Sequence, residues 1–322
     1  MAFAEVLGHE RVREQLWRGL EAGRVPPALL LVGPDGVGKR TLALALGRAL
    51  VCPASGRCDP PCATCARALK GVHPDLIAVA PSTQAIKIEQ VREVARQILG
   101  RPFEARARAV VIDEAHLMTE QAANALLKSL EEPPATSHVL LVSSAPQALL
   151  PTIRSRCQVV RVGPLPVALL QAHLAERLGL PREQARLRAV LAAGSLGAAL
   201  AFDSESYRAS RDRVLGLLES PGSPLQGLEA AEELGSGDAL REGLTVLRSL
   251  LRDVCALRAG AGAERLLNAD LASRLEPLAR APLGRRAREL AEAAGEMLEL
   301  LRGNANKALL LDRLLEALAR AH

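Results

Sequence analysis

"ALLLVGPDGVGKRTLALALGRAL", residues 28–50, decides the fold. Its first five residues are apolar, a glycine-rich turn follows, and from Lys39 onward the composition favours a helix. A short apolar run closed by glycine predicts a buried strand. A glycine-rich turn between strand and helix aims several backbone N–H groups, and the positive end of the helix, at one point. That point suits a phosphate. The spacing is glycine, four residues, glycine, lysine, met by Gly33, Gly38 and Lys39 with Gly36 inside the turn. One position departs from the pattern. Where a hydroxyl would hold Mg²⁺ stands Arg40, with Thr41 one place late. A guanidinium cannot ligate a cation and repels one, and Thr41 is turned about 100° further round the helix. Backbone and Lys39 therefore predict binding of ATP or ADP, with Mg²⁺ binding and hydrolysis impaired.

Further out, "AVVIDEAH" (residues 109–116) ends an apolar run in Asp113 and Glu114. Acids so placed suit water-mediated Mg²⁺ binding and polarisation of an attacking water. The plainer alternative is that they only begin a loop. "DLIAVA" (75–80), "HVLLVS" (138–143) and "CQVVRV" (157–162) predict further strands, and their unbroken apolar character suits a parallel sheet covered on both faces. Between them Ile88, Val91, Val94, Ala95, Ile98 and Leu99 recur at helical steps. Strand–helix alternation implies an α/β sandwich over residues 1–163. After "GPLP" (163–166) the strand signals stop, predicting a small helical unit over 164–203 and a second helical domain over 204–322. Loop-like stretches interrupt that domain at 220–224, 234–238 and 281–284.

Four cysteines, Cys52, Cys58, Cys62 and Cys65, crowd between residues 52 and 65 and end in a C-x₂-C pair. Four thiolates so close suit a closed, structural, tetrahedral Zn²⁺ site. The alternatives are two disulfides, which a reducing cytosol disfavours, or unrelated thiols. Cys157 and Cys255 stand apart and are expected in cores.

The chain has 322 residues, enough for two or three domains. No apolar run reaches membrane-spanning length, and the acid-bearing opening segment does not have the pattern of a secretory signal. A cytoplasmic protein without membrane contact is expected. The net charge of +5 permits an acidic partner such as DNA. Its five aromatic residues are too dispersed to form a base-stacking platform, so phosphate contacts are the expected mode.

Several stretches taken together carry a family resemblance. "GPDGVGK" (33–39), the cysteine insert, "HPDL" (73–76), "IDEAHLMTEQAANALLKSLEEPP" (112–134), "LLPTIRSRC" (149–157) and "GNANKALLLDRLL" (303–315) resemble the bacterial clamp-loader AAA+ subunits, across essentially the whole chain. The resemblance implies an AAA+ P-loop core with a parallel sheet and a zinc module at 52–65, a small helical lid over 164–203, and a C-terminal helical collar that oligomerises. It implies replication as the setting: ATP-dependent loading of a sliding clamp onto primer-template DNA by DNA polymerase III, in a complex with gamma/tau and delta subunits.

Such complexes contain motor subunits, gamma/tau, that hydrolyse ATP, and a stator that lends an arginine finger to a neighbouring motor. Four features of the resemblance favour the stator. Arg40 spoils the metal ligand. The cysteine segment runs into "HPDLIAVAPSTQAIKIEQVRE" (73–93) in place of the motors' acidic stretch. Gly197, in "GSLGAAL" (194–200), stands where a motor's sensor 2 arginine would. The sequence also stops after the collar, without a tau-like tail. On this reading Arg156, in "SRC", is implied to act in trans on the γ-phosphate of the neighbour's ATP, and Ser143 takes the sensor 1 position. Alternatives stay open: a gamma/tau-type ATPase using Lys39, Asp113 and Glu114 in cis, an AAA+ adaptor outside replication, or, for Arg156, a surface salt bridge. Arg92 and Arg96 share a helix face that is either solvated or near DNA phosphate.

Overall fold

The computed structural model describes residues 3–219, 237–301 and 306–320. The loops expected at 220–224 and 234–236, and residues 303–305 of the last family stretch, lie outside the described residues.

Strands β1 (Ala28–Val32), β2 (Leu76–Val79), β3 (Arg108–Ile112), β4 (Ser137–Ser143) and β5 (Gln158–Arg161) form one sheet in the order β2-β3-β4-β1-β5. All four pairings are parallel, as continuous apolar strands separated by helices require. Alternate side chains serve opposite layers. Leu29 and Leu31 of β1, Val111 of β3 and Leu140 of β4 pack in one layer with Leu42 and Leu46 of helix α2 (Lys39–Val51), while α1 (Glu10–Glu21) adds Leu16. On the other face Leu30, Val110, Ile112 and Leu141 meet Val91, Val94 and Ile98 of α4 (Ile88–Leu99) and Leu126 and Leu130 of α5 (Glu120–Glu131). Each such leucine contributes about 1.5–3 kcal/mol by leaving water. Between α2 and α4 lies the short α3 (Ala63–Leu69).

One strand departs from the sequence expectation. Gln158, Val159 and Arg161 of β5 are exposed, because among the described residues β5 is the last strand of the sheet and has a single neighbour. At the opposite edge, Asp75 stays out of β2 and is fully buried. Its carboxylate accepts from the backbone N–H groups of Phe103 (2.7 Å), Glu104 (2.9 Å) and Ala105 (3.0 Å), and from the guanidinium Nη2 of Arg108 at 2.9 Å. One buried ion pair thereby ties the start of β2 to the turn that feeds β3.

The chain continues through α6 (Pro151–Arg154), α7 (Val167–Leu178), α8 (Arg182–Leu191) and α9 (Leu196–Leu200). By its internal contacts it divides into two compact units, Met1–Leu170 with Ala192–Leu200, and Gln171–Leu191 with Ala201–His322. The described residues of the second unit form helices and their connections, with no strand among them. Ser204–Glu219, Gly237–Arg258, Ala272–Arg280, Pro282–Leu300 and Lys307–Ala319 bury leucines such as Leu215, Leu250, Leu275 and Leu290 in a core of their own. A polar knot sits beside that core. Asp253, fully buried, accepts from the backbone of Leu267 and Asn268, and Asn268 Oδ1 accepts from the Tyr207 hydroxyl at 3.0 Å.

Candidate functional site

The turn after β1 is shaped by glycine where no other residue fits. A Cβ on Gly33 would lie 1.9 Å from the Val162 carbonyl oxygen, so only glycine lets the loop leave the sheet beside the exit of β5. Gly36 takes φ +68°, and a Cβ there would meet Ser195 Oγ at 2.2 Å. Gly38 caps the N-terminus of α2, and Lys39 opens the helix. His9, which caps α1, places its Nε2 2.8 Å from the Val37 carbonyl oxygen and so braces the loop from outside.

The loop borders a cavity of about 330 Å³. Gly36, Gly38, Lys39, Thr41, Asp113, Glu114 and Ser143 line it, so seven of the eight residues expected to meet nucleotide converge there. Gly33 does not line it and serves the turn. Lys39 is 5% exposed, and its Nζ donates to the Pro34 carbonyl at 2.6 Å. Burial pushes the lysine's pKa down, against the pull of Asp35, Asp113 and Glu114. Ser143 ends β4, is fully buried, and accepts the Ala145 N–H at 3.2 Å. Over the loop lies α9: Gly197 N–H donates to the Gly36 carbonyl at 2.9 Å, and Leu196 and Leu200 close the cavity on that side. Gly197 brings no side chain to a phosphate.

The metal position is where the chain differs from a working Mg²⁺ site. Arg40 Nε lies 3.3 Å from Asp113 Oδ2, and Asp113 Oδ1 accepts the Glu114 N–H at 3.1 Å. Both oxygens of the acid that would face a metal are thus engaged, one of them by a cation. The donor set does not fit Mg²⁺.

The cysteine cluster does fit a metal. The four Sγ atoms lie within 4.8 Å of one another. Cys52 is 3.8 Å from both Cys58 and Cys62, and Cys58 is 3.3 Å from Cys65. Tetrahedral Zn²⁺ with Zn–S bonds of ~2.3 Å needs S···S edges of ~3.8 Å. Cys52 follows α2 directly, Cys62 caps α3 and Cys65 lies within it, so two helix ends present three of the four thiols. The Cys62 backbone holds the Cys58 thiol down at about 7, whereas burial pushes Cys52 and Cys65 up. Cys157 is buried, as expected of a core residue, and Cys255 is half-buried.

Arg156 lies outside the cavity, just after α6. Its Nη2 meets Glu131 Oε1 at 2.7 Å and its Nη1 donates to the Thr152 carbonyl at 3.0 Å. Arg92 and Arg96 are exposed on α4, and Arg96 pairs with Glu93. Sequence reasoning did not single out His9, Ser195 or the roof leucines, because each acts through a partner distant in the chain.

A phosphate loop after the first strand of a parallel sheet, acids at the end of β3, a short helix over the loop and a helical C-terminal region define a protein of the AAA+ P-loop class. The family described as DNA polymerase III, delta subunit, matches residues 8–166. DNA polymerase III subunit delta' of Escherichia coli is 33% identical over 272 residues, which are 83% of this chain and 80% of that protein. The delta' subunit of Bacillus subtilis is 34% identical over 65% of this chain and 64% of its own length. The tau subunit of Salmonella typhimurium is 36% identical over 53% of this chain but only 27% of its own. The chain belongs to the delta' family of DNA polymerase III clamp-loader subunits.

Proposed function

We propose that the chain is the stator of a clamp loader and lends Arg156 in trans to the ATP site of a neighbouring gamma/tau-type motor subunit. Its partners on this reading are gamma/tau and delta, the sliding clamp within the complex, and primer-template DNA held through phosphate contacts, all in the cytoplasm. The division into core, lid and collar and the structural Zn²⁺ at Cys52, Cys58, Cys62 and Cys65 belong to the same proposal. So does a nucleotide site in its own loop that turns over little or no ATP.

The observation that carries the finger assignment is the position of Arg156. The residue sits at the end of α6, about a third exposed and away from this chain's own cavity. Its guanidinium is therefore available to a phosphate brought by another chain. At a transferring γ-phosphoryl group it would stabilise the charge spread over the oxygens, an effect of ~10³–10⁵ in rate for arginine fingers. The test is to reconstitute the loader with Arg156→Ala. DNA-stimulated ATP hydrolysis should collapse while the complex still assembles; unchanged hydrolysis would sink the assignment.

A further inference from the structure

The loop of this chain has kept its lysine and its glycines while placing a cation at the metal position. We infer that it binds a nucleoside polyphosphate without a divalent metal, Arg40 standing in for Mg²⁺ and exchanging Asp113 for a phosphate oxygen as the ligand enters. This rests on the loop being a nucleotide site.

The geometry favours such an exchange. Asp113 is the acid that would face a metal, and its Oδ2 is 3.3 Å from Arg40 Nε. The Asp113 side chain is 19% exposed at a strand end, whereas that of Arg40 is 59% exposed. Around the cavity stand two cations, Lys39 and Arg40, against three acids, Asp35, Asp113 and Glu114. A bare di- or triphosphate needs positive partners there, and Lys39 with Arg40 supply two of them. The charge-assisted hydrogen bonds of a guanidinium to phosphate are among the strong ones. A metal carried in with the phosphates would have to displace Arg40 from Asp113 and then sit beside its charge. Thr41, the hydroxyl that α2 brings to the cavity, is one residue further round the helix than the usual ligand. Added Mg²⁺ therefore competes with Arg40 for the phosphates instead of assisting them.

The experiment is a calorimetric titration of the full chain with ADP, once in EDTA and once in excess Mg²⁺, repeated with Arg40→Thr, whose folding is checked by its thermal melt. Wild type should bind ADP about tenfold more tightly in EDTA than in Mg²⁺, the scale of one charge-assisted hydrogen bond. Arg40→Thr should reverse the order, losing ADP in EDTA and regaining it with Mg²⁺. Wild-type binding that requires Mg²⁺ overturns the role of Arg40 but leaves the nucleotide site standing. An Arg40→Thr chain that keeps the wild-type response to Mg²⁺ overturns that role as well. No binding in either buffer removes the nucleotide site itself.

Discussion

Arg156 Nη2 and Glu131 Oε1 are 2.7 Å apart, so the guanidinium assigned to another chain's phosphate already holds a carboxylate at home. Glu131 ends α5 and Arg156 follows α6, and the pair is partly open to water, with side chains 48% and 35% exposed. Exposed pairs of this kind are worth at most about 1 kcal/mol. A phosphate can displace the carboxylate cheaply. Glu131→Gln should therefore move folding stability by less than about 1 kcal/mol and leave the ATPase of the reconstituted loader largely intact. Arg156→Lys, by contrast, should fail to restore it, because an ammonium cannot make the planar two-pronged contact. Steady-state ATP hydrolysis with primed DNA checks both. A Glu131→Gln complex as inactive as Arg156→Ala would make the pair itself the working element.

At the β2 edge, Asp75 couples stability to pH. Burial alone would raise its pKa, but the backbone N–H groups of Glu104, Ala105 and Phe103, with Arg108, outweigh it and hold the carboxyl at about 2. The unfolded value is about 3.9. The folded value is the lower one, so the stabilisation is fully present above about pH 4 and fades as pH falls through about 2. Its size is roughly 2–3 kcal/mol. Asp75→Asn should cost on the order of 3–5 kcal/mol at neutral pH, because it leaves Arg108 buried without its charge partner. Urea midpoints at neutral and acid pH measure both effects. An Asp75→Asn chain with the wild-type acid profile would show that other carboxylates carry it.

The cysteine module should depend on its metal for order. Most of residues 53–61 are exposed, so little apolar burial holds the segment between α2 and α3. Native mass spectrometry should find one zinc per chain, by the four-thiolate geometry. Chelation, or Cys62→Ser, should speed proteolysis within 53–61 while the sheet stays folded. Equal cleavage rates with and without chelator would count against a structural metal.

The contact between the phosphate loop and α9 should be intolerant of a side chain at Gly36. Alanine there meets a left-handed φ of +68° and a Ser195 oxygen 2.2 Å from its Cβ. Left-handed backbone alone costs a non-glycine residue about 1–2 kcal/mol. Gly36→Ala should lower the melting temperature and, through the Gly36–Gly197 hydrogen bond, detach α9 from the loop. Faster hydrogen exchange at the Gly197 amide would report that detachment. Unchanged exchange would mean that the helix is held by its other contacts.

Much of this site was legible in one dimension because its determinants are local. A strand of five apolar residues, a glycine turn and a lysine-headed helix are contiguous, and each element follows from its own residue types. The same holds for Asp113 and Glu114 at the end of β3, and for four cysteines close enough in sequence to meet without long-range folding. Even the departure at Arg40 was visible as a letter. Its consequence was not: the sequence implied repulsion of a metal, whereas the fold gives the guanidinium a partner, Asp113, seventy-odd positions away.

What the sequence determined by itself, then, was the kind of loop, the kind of sheet and the chemistry available at each position. Tertiary structure alone decided the pairings: Arg40 with Asp113, Arg156 with Glu131, Asp75 with Arg108, and Gly197 lying against Gly36. It also decided that β5 would be an edge, its apolar Val159 left in water. The physical reason is common to these cases. Local propensity and hydrophobic period act over a few residues, whereas the partner of a charge or the neighbour of a strand is set by packing between elements far apart in the chain.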